Sequence, residues 1–285
     1  MKSLTLSTPI GEFSALRNDS PESAQKILAI HGWLDNRASF IPMLPFMDAS
    51  DFVAVDLPGH GYSAHRSGNQ FGYLADFVQT IPMILDALGW QQCHLVGHSM
   101  GGGVACIYTA CSPKRIQTLS LIDLLGPLSS EAKEAPIKMA KALKDYSAWD
   151  PTRKRYFDDL DAAVKARMLG SAFPLDYNNS KLIMEYATQT SPKGLQLMSD
   201  PRLKFASPFS FTEDQVLAFI KNIQQPVLLA YASEGILNQL KSTSKRLTSY
   251  ADLTRLDLKG GHYVHMEQPK SVAKAVLELA TRVQG

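Results

Sequence analysis

Leu95-Val96-Gly97-His98-Ser99-Met100-Gly101-Gly102-Gly103 is the stretch from which the rest of the chain is read. An apolar run enters Gly97-His98-Ser99-Met100-Gly101, and a segment with Val104, Ile107 and Tyr108 at helical spacing leaves it before Ser112-Pro113 ends the pattern. This is the pattern of a nucleophile elbow. The serine sits on a sharp strand-to-helix turn, and the glycines two before and two after it lack the Cβ that would clash there. Gly-x-Ser-x-Gly arises by chance in about one chain of this length in ten, so the flanking elements must carry the reading.

Upstream of the elbow, Leu4 to Thr8 and Glu12 to Arg17 flank Pro9-Ile10-Gly11 and suit a hairpin. Lys26 to Ile30 and Phe52 to Asp56 are short apolar runs of the kind buried on both faces of a sheet. They end in His31-Gly32-Trp33-Leu34-Asp35-Asn36 and in Leu57-Pro58-Gly59-His60-Gly61-Tyr62-Ser63. Tyr73 to Leu88 carries apolar residues at helical spacing, with a kink expected at Pro82 and a stop at Gly89. His94 to Gly97 is the strand into the elbow.

Downstream, the strand Ile116 to Ile122 leads to Asp123, and the alternation then stops after Pro127. Ala132 to Tyr146, Arg153 to Leu169 and Ser180 to Thr190 read as helices, with no buried strand among them. A stretch of this length is too long for a connecting loop and is expected to be an inserted helical cap. The alternation resumes with a helix at Glu213 to Ile220, the strand Val227 to Tyr231, a helix at Ile236 to Tyr250 and the strand Leu253 to Leu258. The chain closes with a helix from Pro269 to Val283. The expected fold is therefore α/β: a mostly parallel central sheet of about eight strands with helices on both faces, plus the cap. Core domain 1–127 and 212–285 surrounds cap 128–211.

Of the 285 residues, 45% are hydrophobic and 20% charged, and the net charge is +2. That composition suits a soluble globular protein and gives no electrostatic reason to expect nucleic acid. No apolar stretch is long enough for a membrane span, and Met1 to Phe13 lacks the core of a signal peptide, so a cytoplasmic protein is expected. Cys93, Cys106 and Cys111 read as buried reduced thiols. No spacing suggests a metal site, and no cofactor is expected.

A serine hydroxyl needs a base to take its proton and a carboxylate to orient that base. The order Ser, acid, His is met by Ser99, Asp123 and His262, the last lying in Gly261-His262-Tyr263 after the final strand. His265 reads as a packing or capping residue. The motifs His31-Gly32-Trp33, Asp56-Leu57-Pro58-Gly59-His60-Gly61, Gly97-His98-Ser99-Met100-Gly101-Gly102 and Gly261-His262, in this order, make the chain resemble the α/β-hydrolase fold family along nearly its whole length. His31 to Asn36 and Leu121-Ile122-Asp123 most resemble the serine hydrolase-like group that includes kraken. The resemblance implies an oxyanion hole from the backbone N–H groups of Trp33 and Met100, and a structural role for Asp56. It also exposes a departure. Many relatives carry the catalytic Asp just after the strand read as Val227 to Tyr231, where this chain has Ala232-Ser233-Glu234-Gly235-Ile236. Asp123 is the expected acid and Glu234 the alternative. His31, Asp35, Asn36 and His98 are candidate substrate contacts, Asp35 and Asn36 with the alternative that they only shape the turn.

The expected activity is serine hydrolysis of a carboxylic ester or similar small acyl compound through an acyl-enzyme. Other chemistry on the same triad (C–C bond hydrolysis, cofactor-free perhydrolysis or lyase activity) and a receptor-like binder with little turnover are the alternatives. Attack by an aspartate, as in haloalkane dehalogenases, is excluded because this elbow presents a serine.

Overall fold

The apolar runs of the sequence become one eight-stranded sheet in the computed structural model, which describes residues 1–18, 20, 25–66, 73–170 and 172–283. Its strands in chain order are β1 (Lys2–Thr8), β2 (Gly11–Arg17), β3 (Lys26–Ile30), β4 (Asp51–Val55), β5 (Cys93–His98) and β6 (Ile116–Ile122). After β7 (Tyr156–Phe157), β8 (Thr188–Ser191) and β9 (Gly194–Leu197), which lie elsewhere, come β10 (Val227–Ala232) and β11 (Leu253–Leu258). The spatial order is β1-β2-β4-β3-β5-β6-β10-β11, antiparallel in the β1-β2-β4 corner and parallel from β4 onward.

Side chains alternate across each strand, so a centrally placed strand must be apolar on both faces. In β3, Leu28 and Ile30 point into one core, against the helices α1 (Leu74–Val78), α2 (Thr80–Ala87) and α3 (Met100–Cys111). Ile27 and Ala29 point into the other, against the 3₁₀ segment Arg37–Phe46. The remaining helices are α4 (Ala135–Ser147), α5 (Leu160–Gly170), α6 (Tyr177–Glu185), α7 (Glu213–Asn222), α8 (Thr243–Leu247), α9 (Val264–Glu267) and α10 (Pro269–Arg282). Among the described residues no helix is long and apolar enough to cross a membrane.

The structure departs from the sequence reading in four places. The helix expected over Tyr73 to Leu88 breaks at Gln79, three residues before Pro82, because proline has no N–H and its ring crowds the carbonyl four residues earlier. The helix expected over Ile236 to Tyr250 is only a 3₁₀ turn, Ile236–Asn238, followed by the short α8. There the Asn238 side chain donates back to the carbonyls of Ala232 at 2.9 Å and Ser233 at 3.2 Å, which competes with helical pairing. Cys93 and Cys106 are buried, and burial pushes both thiols up to about 12, but Cys111 is exposed. The insertion is also not purely helical: β7, β9 and β8 form a small antiparallel sheet beside α4, α5 and α6.

The two ends of the segment expected as a cap lie side by side. Ser130 N–H donates to Phe211 O at 3.0 Å, joining the outgoing and returning chain. Behind that junction the buried Arg246 donates to Pro127 O at 2.8 Å and forms an ion pair with Glu213 at 2.6 Å.

Candidate active site

The carboxyl ends of parallel strands form the edge at which ligands bind in open α/β sheets. At this edge β5 delivers Ser99, which has φ 51° and ψ −121°. Its neighbours explain the glycines. A Cβ on Gly97 would lie 2.5 Å from Gly101 O, and one on Gly101 would collide with the carbonyl oxygens of Ile30 and His31. Ser99 is held from behind by its N–H bond to Ile122 O at 3.2 Å and opens α3 from in front, accepting from Gly103 N–H at 3.1 Å. Met100, the first residue of α3, carries one of the N–H groups that a helix cannot satisfy internally.

Two more backbones share this strain. Among the described residues the non-glycine positions with positive φ are Leu34 (59°), Ser99 and Asp123 (46°), and all three stand at this edge. Such conformations each cost on the order of 1–3 kcal/mol and persist where the surroundings enforce them.

Asp123 follows β6 directly. It is fully buried, and its Oδ2 accepts from His262 Nδ1 at 2.7 Å and from Ile236 N–H at 2.7 Å. A Cβ on Gly235 would overlap both carboxylate oxygens, so the turn after β10 is packed against Asp123 as bare backbone. Glu234, in that same turn, is exposed and contributes its N–H to Gly260 O at 2.9 Å. The structure thus brings Asp123, and not Glu234, to His262. The His262 ring lies between Phe173 (centroids 4.2 Å apart) and His98 (4.8 Å), and with Nδ1 bound to Asp123 its other nitrogen, Nε2, is left for the cavity side.

Ser99 and His262 line one cavity of about 910 Å³. Its walls are mainly apolar, with Phe77, Leu124, Phe205 and Phe211 among them, and it also reaches Trp33 and Met100. Among the described residues its only carboxylate and only guanidinium, Asp35 and Arg167, are paired to each other at 2.5 Å. Burial raises the Asp35 carboxyl above its usual range against the opposing pull of Arg167. Among the described residues no three His, Cys, Asp or Glu side chains are placed to hold a metal ion.

The other candidate contacts divide. Of His31, Asp35, Asn36 and His98, only Asp35 lines the cavity. Leu57 donates its N–H to His31 Nε2 at 3.0 Å, so the ring proton is on Nδ1, which donates to Gly32 O at 2.7 Å. His31 therefore ties the loop after β3 to the loop after β4, and burial lowers its pKa to about 4. Asn36 caps the 3₁₀ segment by accepting from Ala38 N–H at 2.9 Å and donates to Ile183 O at 2.9 Å. His98 sits under His262, donating Nε2–H to the His262 carbonyl at 2.9 Å. All three are buried in the scaffold, so their expected role as substrate contacts gives way to positioning of the loops. Asp56 accepts from Arg37 and Tyr62 backbone N–H groups at 2.6 and 3.0 Å and pairs with the Arg37 side chain, a loop-building role.

Arg167, Phe173 and Tyr263 escaped the sequence reading. Arg167 sits in a helix pattern whose other charges face solvent, and its partner Asp35 is far away in the chain. Tyr263 had a visible signal, since it directly follows His262.

Comparison with known proteins agrees with this geometry. A profile described as alpha/beta hydrolase fold matches residues 26–269. The chain is 27% identical to a serine hydrolase-like protein of Danio rerio over 90% of this chain and 82% of that one. It is 29% identical to serine hydrolase-like protein 2 of Homo sapiens over 96% and 92%. Among solved structures, a hypothetical protein from Pseudomonas aeruginosa PAO1 superposes with a TM-score of 0.90 at 32% identity, covering 100% of both chains. The thioesterase domain from the curacin biosynthetic pathway gives 0.84 at 25% identity, covering 97% of this chain and 99% of that one. A family match spanning most of the chain, over a sheet and elbow built in this way, means that the protein belongs to the alpha/beta hydrolase fold family, with serine hydrolase-like proteins among its relatives.

Proposed function

We propose that this protein cleaves a carboxylic ester or similar small acyl substrate through an acyl-enzyme, with residues 128–211 capping the core formed by 1–127 and 212–285. Ser99 Oγ attacks the carbonyl carbon while His262 Nε2 takes its proton, and Asp123 holds the imidazole in the required tautomer and stabilises its charged form. The backbone N–H groups of Trp33 and Met100 receive the developing oxyanion, each such donor being worth on the order of 3 kcal/mol. His262 then gives the proton to the leaving alcohol, and in the second half it activates the water that releases the acid.

The observation that carries the reading is the 2.7 Å His262–Asp123 bond behind a cavity that Ser99 shares. The apolar walls favour an apolar acyl or alcohol group. The likeness to a thioesterase domain is in keeping with transfer of an acyl group to a serine. The test is labelling with a fluorophosphonate together with turnover of short p-nitrophenyl esters. One equivalent of label at Ser99, absent in Ser99→Ala, with measurable ester turnover is expected. A wild-type protein that takes no label and hydrolyses no ester across a range of acyl lengths overturns the proposal.

A further inference from the structure

The loop after β3 carries Trp33, whose N–H belongs to the proposed oxyanion hole, and this loop is bonded to the insertion at three successive sites. Trp33 Nε1–H donates to Leu203 O at 2.8 Å, Asp35 pairs with Arg167 of α5 at 2.5 Å, and Asn36 Nδ2–H donates to Ile183 O of α6 at 2.9 Å. The middle tie differs from the other two in reaching both halves of the site. Arg167 Nη2 donates to Asp35 Oδ1 and also to Tyr263 OH at 2.6 Å, and Tyr263 directly follows His262.

Asp35 passes the constraint on. Its N–H closes a turn onto Gly32 O at 3.2 Å, across Leu34 at φ 59°. Its carboxylate folds back over Gly32 so closely that a Cβ there would lie 2.9 Å from Oδ2 and 3.0 Å from His98 Nδ1. Moving the carboxylate therefore moves the turn that contains Trp33. Arg167 is nearly buried, on a helix that belongs to the insertion and not to the sheet.

We infer that Arg167 is a positioning residue: it couples the seating of the insertion to the placement of the Trp33 N–H and the His262 loop, so that the site is complete only when α5 is docked. The inference rests on the hydrolase reading above. It assigns Arg167 no contact with the reacting atoms, only with the two loops that hold them, and a displacement of about 1 Å at such a site typically costs 10²-fold in rate.

The experiment is steady-state hydrolysis of p-nitrophenyl esters, with fluorophosphonate labelling rates, for wild type, Arg167→Met, Arg167→Lys and Asp35→Asn. Arg167→Met should lower kcat on the order of 10²-fold with KM within about threefold, and slow labelling in parallel. Arg167→Lys should recover part of the loss, since an ammonium keeps the charge toward Asp35 but lacks the fixed planar N–H directions by which Nη2 meets Asp35 and Tyr263 together. Asp35→Asn should resemble Arg167→Met, and keeps the test open where Arg167→Met does not fold. A raised KM with unchanged kcat would make Arg167 a substrate contact and overturn the inference, as would kcat unchanged in both Arg167→Met and Asp35→Asn. Wild-type protein inert to both probes defeats the hydrolase reading itself, and this one with it.

Discussion

The turns that follow β6 and β10 reach the same edge of the sheet and do complementary work there. After β6, Asp123 is buried at φ 46° with its carboxylate on His262. After β10, Glu234 is exposed, while the next two residues serve Asp123: Gly235 makes room for the carboxylate and Ile236 donates an N–H to it. The strands explain how the two turns meet. β6 and β10 are parallel neighbours with Ile122 opposite Ala230, β10 runs on two residues further to Ala232, and Asp123 N–H bonds Ala230 O at 3.0 Å. The longer β10 therefore carries its turn past the end of β6, so that Gly235 and Ile236 fold against the Asp123 carboxylate.

Asp123→Asn against Glu234→Gln is the most severe way to break this comparison. With the acid's charge removed and its shape kept, kcat should fall about 10⁴-fold, as triad Asp→Asn changes do, with the circular dichroism spectrum unchanged. Glu234→Gln should stay within about twofold, as expected of an exposed side chain away from the machinery. The reverse ranking would hand the acid's role back to the β10 turn. Gly235→Ala sharpens the supporting half of the argument. Its Cβ must displace a carboxylate that has no free space, and kcat should drop by about 10- to 100-fold with little change in KM. A Gly235→Ala protein with wild-type kinetics would mean that the β10 turn gives way easily and does not hold Asp123 in place.

What could be read from the sequence follows from how local each signal is. The strand ends and the turn glycines are local, so the sheet, Ser99 and His262 are legible in short motifs. The choice between Asp123 and Glu234 is not, because it depends on how two strands far apart in sequence are registered. Asp35 and Asn36 drew attention by standing beside the oxyanion loop, but their partners Arg167 and Ile183 belong to an insertion whose docking no motif encodes. The small sheet was missed for a different reason. Two to four residues per strand, half exposed, give too short an alternation to tell from helix. The tight link Pro192-Lys193 before Gly194, at φ 101°, was the available sign of a hairpin.

The histidines divide as the two turns do, one engaged in the site and others held as scaffold, and His265 gives the gentlest test of that division. Its ring is fully buried between Phe40 (centroids 5.2 Å) and His98 (4.3 Å), and neither ring nitrogen has a hydrogen-bond partner among the described residues. Burial lowers its pKa to about 3, from an ordinary 6.5. The folded protein therefore keeps His265 neutral while the unfolded chain takes up a proton as pH falls through 6.5. The unfolded state binds more protons across that window, so stability is full above about 6.5 and is lost on acidification, by up to about 1.4 kcal/mol per pH unit for this group. His265→Phe keeps an aromatic ring and removes both unpaired nitrogens. At pH 7.5 it should leave unfolding free energy unchanged or raised by up to about 1 kcal/mol, since replacing an unsatisfied buried group by an apolar one of similar shape is neutral or stabilising. Urea unfolding between pH 6.5 and pH 5 should show a shallower loss than wild type, averaging about 1 kcal/mol per pH unit, with kcat changed no more than a few-fold. A kcat loss approaching that of Asp123→Asn would place His265 with His262 in the machinery, and the division between engaged and scaffold histidines would fall with it.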